Sequence, residues 1–159
     1  MTVEPKIALR LQFLARVVRK ECNHLTTTDQ RLFAGLFTLE QATRLEEEPD
    51  LAECVEAFVG RFGHLQDTVG DKLLPLLLSA LGEKPSAAIG NLDLAERLGL
   101  LESADEWMSM RNLRNQMVHE YVEDPVVLSS ALQTGHAYVP ALIATANKMI
   151  AEIEQRGYV

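Results

Sequence analysis

The chain has 159 residues, with 15 lysines and arginines against 23 aspartates and glutamates, and a formal net charge of −8. Its length and its 47% share of hydrophobic residues suit one soluble domain, which we expect to span residues 1–159. The acidity argues against nonspecific binding of nucleic-acid phosphates, because such binding requires many lysine and arginine contacts. We therefore expect no DNA partner, and RNA binding only at a local basic site.

A membrane span and a secretory leader are not expected. No apolar run reaches the roughly 18 to 20 residues that a span requires. The segment MTVEPKIALRLQ lacks a basic stretch followed by an apolar block. The expected location is the cytoplasm, where cysteines stay reduced. Cys22 and Cys54 occupy apolar positions of predicted helices, so we interpret them as small buried thiols rather than as a disulfide.

Helical periodicity organises the first half of the chain. A first helix is predicted from Pro5 to His24, because apolar residues recur there at steps of three and four. The threonine-rich segment 26–29 offers capping oxygens for a second helix, which ends before Pro49. From Pro49, helical spacing continues to a stop at Gly82. The candidates for bends in this long helix are Gly60, Gly63, Gly70 and Pro75.

The second half is also helical. A short helix is predicted after Asp93 and ends near Gly99, and Ser103 with Glu106 forms a capping box for the next helix. A final helix follows the cap and proline at 124–125. No strand pattern competes. The predicted fold is all-α, an up-and-down four-helix bundle with one or two additional short helices.

The segment RNLRNQMVHEYVED, residues 111–124, concentrates polar chemistry at a helix end. Asn115 precedes His119 by four residues, so its amide can orient the imidazole. Arg114 precedes His119 by five residues, and on an ideal helix their side chains diverge by about 140°. One phosphate is therefore not easily held by both. Two arrangements remove the conflict: the helix unwinds near His119, or two copies meet at a twofold axis and pool their polar faces.

The spacing by itself favours a plainer interpretation. Arg111 and Arg114 are then solvated or paired with some of the many carboxylates. His119 would simply occupy a helix C-terminus, where a cation is favourable.

A longer stretch, RLGLLESADEWMSMRNLRNQMVHEYVED at residues 97–124, resembles the HEPN superfamily, in particular its HepT-like branch and the related substrate-binding proteins of minimal nucleotidyltransferases. In those proteins a Gly-hydrophobic turn and a tryptophan at a helix start precede the pattern Arg-Asn-x-x-x-His-x-Tyr. This chain has Gly99-Leu100, Trp107 and the complete pattern from Arg114 to Tyr121. The segment FVGRFGHLQDTVGDKLL looks like the second core helix of such proteins, and the rest agrees in helix order only.

The resemblance implies a HEPN-like bundle that dimerises with its motifs facing a shared cleft, as a metal-independent endoribonuclease toxin of a type II toxin–antitoxin system. It implies that Arg114 holds the scissile phosphate, that His119 moves the proton of the ribose 2′-hydroxyl or of the leaving group, and that Asn115 orients the imidazole. Tyr121 matches the tyrosine to which a nucleotidyltransferase antitoxin attaches AMP, which adds bulk and negative charge beside the site.

Two other classes of function stay open. Some relatives with this motif are binding subunits of a nucleotidyltransferase and not nucleases, and a fold does not fix a function. The alternative is therefore a non-catalytic subunit that presents substrate to such an enzyme or is modified by it. A purely structural helical dimer is the third class.

Further polar residues are candidates for the cleft or for a metal site. Arg61, His64 and Asp67, together with Arg111, are candidates to line the cleft; the plainer interpretation of His64 and Asp67 is a hydrogen-bonded surface group. The Glu-x-x-His spacing at 21–24 would need a second copy and further glutamates to bind a metal pair, and no second copy occurs. Because the chain also lacks a glycine-rich phosphate loop and paired-cysteine motifs, we expect neither metal nor cofactor.

Overall fold

The structure is a computed structural model that describes residues 3–120 and 123–157. All regular elements in these two ranges are helical, which confirms the all-α class, and the helices form a bundle. A 3₁₀ turn covers Leu45–Glu47, and a π-helical segment at Thr68–Leu73 joins the third helix to the fourth. The α-helices are α1 Pro5–Leu32, α2 Leu39–Thr43, α3 Pro49–Asp67, α4 Leu74–Ala80, α5 Ala88–Arg97, α6 Ala104–Glu120 and α7 Pro125–Gln155.

Helix α1 is longer than the sequence predicts. The predicted end at His24 is wrong, because the helix continues through the threonine-rich segment to Leu32. The hydroxyl of Thr27 donates to the carbonyl oxygen of Asn23, and that of Thr28 donates to the carbonyl oxygen of His24, both at 3.0 Å. These hydroxyls are therefore satisfied inside α1 and do not cap a new helix.

The second helix is short and has its own cap. The Thr38 hydroxyl accepts a hydrogen bond from the Gln41 backbone N–H at 3.2 Å, and the Gln41 side chain accepts one from the Thr38 N–H at 3.0 Å. This reciprocal pair is a capping box. The predicted position of the second helix is wrong, because residues 33–38 are not helical and α2 covers only Leu39–Thr43. Pro49 begins α3, as predicted.

A single long helical rod crosses the bundle from Pro49 to Ala80, because α3, the π segment and α4 follow one another without a break. Gly70 lies in the π segment, directly under the buried indole of Trp107, which is 2% exposed. The Gln66 amide donates to the Trp107 carbonyl oxygen at 3.3 Å. The rod ends as predicted at Gly82, whose φ of 82° is left-handed. These contacts fix α6 against the rod.

The predicted helix boundaries in the second half hold at most points. Helix α5 begins at Ala88, earlier than predicted, and its C-terminal turn closes at Gly99 with a φ of 78°. The Ser103 hydroxyl accepts from the Glu106 N–H at 3.0 Å at the start of α6. The Asp124 carboxylate accepts from the Val126 N–H at 2.9 Å, immediately before α7 begins.

The apolar residues of all the long helices meet in one connected core. Helix α7 contributes twelve buried residues to the interior, among them Leu132, Leu142 and Ile153. By length and mean hydropathy, 1.2 over its most apolar stretch, this helix could also cross a membrane; 39% of that stretch is buried in the protein.

The contact between Gly70 and Trp107 generates a prediction about stability. A Cβ at position 70 would lie 3.1 Å from indole atoms Cζ2 and Nε1, and the buried ring has little room to move. Gly70→Ala should lower the free energy of unfolding by about 1–3 kcal/mol, as overpacking does. Gly60→Ala is the control: its Cβ meets nothing within 4 Å, so it should stabilise by about 0.5–1 kcal/mol through helix propensity. Urea denaturation of both variants measures the difference, and equal effects would contradict the prediction.

Candidate functional site

The outer face of α3 is lined by polar residues and touches two other helices. At one side Asp67 pairs with Arg114 of α6. At the other side Arg61 donates to the carbonyl oxygen of His24 in α1 at 3.2 Å, and to the hydroxyl of Thr28. The four residues predicted to line a cleft therefore lie in two places. Asp67 and Arg111 lie where the long helix contacts α6, whereas Arg61 and His64 lie on the side that faces α1.

Arg114 is the most firmly held polar residue of the predicted motif. Its Nη2 atom donates to Asp67 Oδ2 at 2.8 Å, and the side chain is 29% exposed. Its Nη1 atom lies 3.4 Å from the Asn115 side-chain oxygen. Its Nε atom is buried and has no acceptor among the described residues. The carboxylate thus orients one edge of the guanidinium. The buried Nε–H cannot reach an anion, but each Nη atom has a second N–H that these contacts do not use and that can bind one.

Gly63 is the residue on which the Arg114 side chain lies. A Cβ at position 63 would be 2.9 Å from Arg114 Nε and 3.3 Å from its Cγ. The arginine can therefore lie flat against α3 only because no side chain stands there. The sequence suggests Gly63 only as a bend and does not predict that the Arg114 side chain packs on it. A glycine inside a helix costs stability, which was the available signal that some close contact requires it.

Arg111 is held more loosely. Its Nη1 atom lies 3.5 Å from Asp71 Oδ1, and the two side chains are 37% and 44% exposed. Ion pairs of this kind contribute little to stability, about 0–1 kcal/mol. Arg111 thus lies at the rim of the site, and its pairing agrees with the plainer interpretation of the arginines.

The structure does not bring His119 to Arg114 within one chain. Helix α6 runs without interruption past His119 to Glu120, so the unwinding considered above does not occur in the described residues. His119 is exposed, and its side chain makes no hydrogen bond to another residue that the structure describes. Asn115 contacts Arg114 rather than His119, because Asp67 holds the guanidinium within reach of the neighbouring amide. Tyr121 lies outside the described residues.

A cavity of about 270 Å³ opens between α1 and α3 on the other side of the polar face. Arg61, one of its lining residues, joins α3 to α1 through hydrogen bonds to His24 and Thr28. The lining residues are Glu21, His24, Ala57, Gly60, Arg61 and His64.

Glu21 is the half-buried acid of this cavity. Its Oε1 atom accepts a hydrogen bond from the Thr68 hydroxyl at 2.9 Å, and its Oε2 atom is buried without a partner among the described residues. Burial raises the pKa of the Glu21 carboxyl, and the Thr68 hydrogen bond opposes part of that effect. The Thr68 hydroxyl also lies 2.9 Å from the His64 carbonyl oxygen. Since the hydroxyl has one proton, it donates to only one of these acceptors at a time.

The thiol of Cys22, next to Glu21 in the sequence, is expected to be unreactive. Cys22 is buried as predicted, whereas Cys54 is partly exposed, and neither forms a disulfide. Burial and the neighbouring Glu21 carboxylate raise the pKa of Cys22 to about 11, so the thiol stays protonated at neutral pH. No three histidine, cysteine or acidic side chains in the described ranges are placed to hold a metal ion.

Comparisons with protein-family models, with curated proteins and with solved structures found no match to this chain. The resemblance to HEPN proteins therefore rests on the motif at 97–124, and any function rests on the residues of the polar face.

The seating of Arg114 can be tested with a matched pair of glycine substitutions. Gly60→Ala and Gly63→Ala add the same methyl group to the same helix, but only the second meets Arg114. Gly63→Ala should therefore be less stable than Gly60→Ala by roughly 0.5–1 kcal/mol, the value of the displaced ion pair. In an Arg114→Ala background that difference should disappear, because no side chain remains to be displaced. A difference that persists in urea denaturation of the double variants would contradict the proposed contact between the Arg114 side chain and Gly63.

Proposed function

We propose that this chain is a HEPN-type endoribonuclease, a HepT-like toxin that acts in the cytoplasm as a homodimer, without a metal ion, and is neutralised by a nucleotidyltransferase antitoxin. The observation that carries the proposal is the seating of Arg114: an arginine of the expected motif lies on Gly63 and is oriented by Asp67, with N–H groups left to bind a phosphate. His119 is exposed further along the same helix.

The chemistry follows from these two side chains. Arg114 binds the scissile phosphate and stabilises the negative charge that develops on its oxygens. His119 takes the proton from the 2′-hydroxyl, whose oxygen attacks the phosphorus as the bond to the 5′-oxygen breaks. The leaving 5′-oxygen takes a proton from solvent water, and His119 later returns its own extra proton to solvent. The products are a 2′,3′-cyclic phosphate and a 5′-hydroxyl, and no metal or cofactor takes part.

A second copy of the chain supplies what one copy lacks. Because Arg114 and His119 diverge on a continuous α6, we propose that each site combines Arg114 of one protomer with His119 of the other. Two exposed apolar residues offer surface for this contact: Val118, which precedes His119 in the sequence and is 51% exposed, and Val126 in the first turn of α7, which is 59% exposed. Apolar surface of this kind favours association. In the same scheme, AMP on Tyr121 would block the shared cleft with bulk and charge.

The second candidate is a non-catalytic subunit of a nucleotidyltransferase. The observation that favours it is the pairing of both Arg111 and Arg114 with aspartates, which leaves little net positive charge there to attract RNA. In that case the site would present substrate to the partner enzyme or be modified by it.

Removal of His119 distinguishes the two candidates. In EDTA, the wild-type protein should cleave RNA and leave 2′,3′-cyclic phosphate ends, and His119→Ala should reduce the rate by roughly 10²–10⁴-fold, the contribution of a general acid–base group. Gln116→Ala, which changes another exposed polar residue of α6, is the control and should keep full activity. Analysis of fragment ends measures the outcome. No cleavage by a folded wild-type dimer would favour the binding subunit.

Mixed dimers test whether the site is shared. Arg114→Ala and His119→Ala chains, co-expressed with two different tags and purified as the mixed dimer, should each be inactive with themselves. Together they should recover about half of the wild-type rate, because one of the two composite sites then has both residues. A mixed dimer that stays inactive would place Arg114 and His119 of each site in the same protomer.

A further inference from the structure

The cavity between α1 and α3 is large enough for one flat group, and small residues form part of its wall. Its volume of about 270 Å³ is just below that of sites for drug-sized molecules, roughly 300–1,000 Å³. Ala57 and Gly60 contribute almost no side chain to its wall. A Cβ at Gly60 meets nothing within 4 Å, so the space above this residue is open.

Glu21 gives the cavity its chemistry. A carboxylate only accepts hydrogen bonds, and one of its oxygens, Oε2, has no partner among the described residues. That oxygen has almost no accessible surface, so it can meet a ligand only when the carboxyl turns about its last torsion, which is soft in a glutamate. Its other oxygen also becomes available when the Thr68 hydroxyl donates instead to the His64 carbonyl oxygen, which lies at the same 2.9 Å distance. Glu21 can therefore accept two adjacent N–H donors from a ligand.

The remaining lining side chains suit a flat, aromatic ligand. His24 and His64 line the cavity from α1 and from α3. Imidazole rings stack on the bases of single-stranded RNA.

The cavity adjoins the Arg114 site through consecutive residues of the long rod. Gly63 seats Arg114, and the next residue, His64, lines the cavity. Asp67 pairs with Arg114, and the next residue, Thr68, hydrogen-bonds Glu21. A strand whose phosphate is bound at Arg114 can thus place a nearby base at Glu21.

We infer that the cavity binds one guanine base of the RNA strand, with its N1–H and amino group donated to the Glu21 carboxylate. Guanine is the RNA base with two adjacent donors on its Watson–Crick edge. Adenine and cytosine present one amino group next to an acceptor, and uracil presents one N–H between two carbonyl oxygens; each would set a lone pair against a carboxylate oxygen. The inference deepens the proposed function and rests on it for its RNA substrate.

Nucleotide titrations test the site directly. Guanosine 5′-monophosphate should bind the wild-type protein roughly tenfold or more tightly than the adenosine, cytidine and uridine monophosphates, the discrimination that a good bidentate contact provides. All four carry the same phosphate, so the difference reports the base. Glu21→Gln should remove this preference, since the amide presents a donor to a donor, and Gly60→Leu should remove binding of the base by filling the cavity.

Glu83→Gln is the matched control, because it makes the same change at an exposed glutamate in the loop between α4 and α5 and should leave the preference intact. Equal affinity for the four nucleotides, no guanosine monophosphate binding, or an unchanged preference in Glu21→Gln would overturn the inference. Cleavage mapping separates the two proposals. RNA cut without regard to guanine, with no guanosine monophosphate bound, would refute this site and leave the nuclease standing. Guanine-selective binding without RNA cleavage would support the site and refute the nuclease.

Discussion

The structure depends on the close approach of α6 to the long rod at two glycines. Trp107 and Arg114 are seven residues apart on α6, and the glycines they cover, Gly70 and Gly63, are seven residues apart on the rod. Seven residues are about two helical turns, so each pair lies on one face. The helices run in opposite directions, and a side chain at either glycine would push them apart. One antiparallel contact therefore fixes a core tryptophan and a polar arginine together.

This contact also sets the charge pairing. Once Trp107 lies on Gly70 and Arg114 lies on Gly63, Asp67 and Asp71 of the rod are placed beside Arg114 and Arg111 of α6. The energy of each pair is small because both are partly exposed. Their consequence is orientation: Arg114 is held flat, with one edge used by Asp67. The strongly acidic chain thus holds the Arg114 guanidinium at one defined place, and it pairs both Arg114 and Arg111 with carboxylates.

The sequence predicts what depends on local chemistry and misses what depends on distant residues. The helix starts at Pro49 and Pro125 and the stops at Gly82 and Gly99 were predictable, because a proline or a left-handed glycine is enough to define them. The end of α1 was not, since a threonine hydroxyl is satisfied equally well as a cap or by bonding back four residues. The seat at Gly63 was also missed, because it exists only when Arg114, about fifty residues later, lies across it.

The same limit applies to Glu21. The sequence presents Glu21 as half of a metal-binding spacing, yet its hydrogen-bond partner is Thr68, which belongs to the π segment of another helix. Such segments occur often at functional sites, because they disturb the regular ladder of hydrogen bonds. Here the segment begins at the residue that holds Glu21 and includes the glycine that seats Trp107. Asp67, the residue before this segment, pairs with Arg114, so consecutive residues of the rod contact the cavity acid, the tryptophan and the arginine, and the two sides of the polar face share one support.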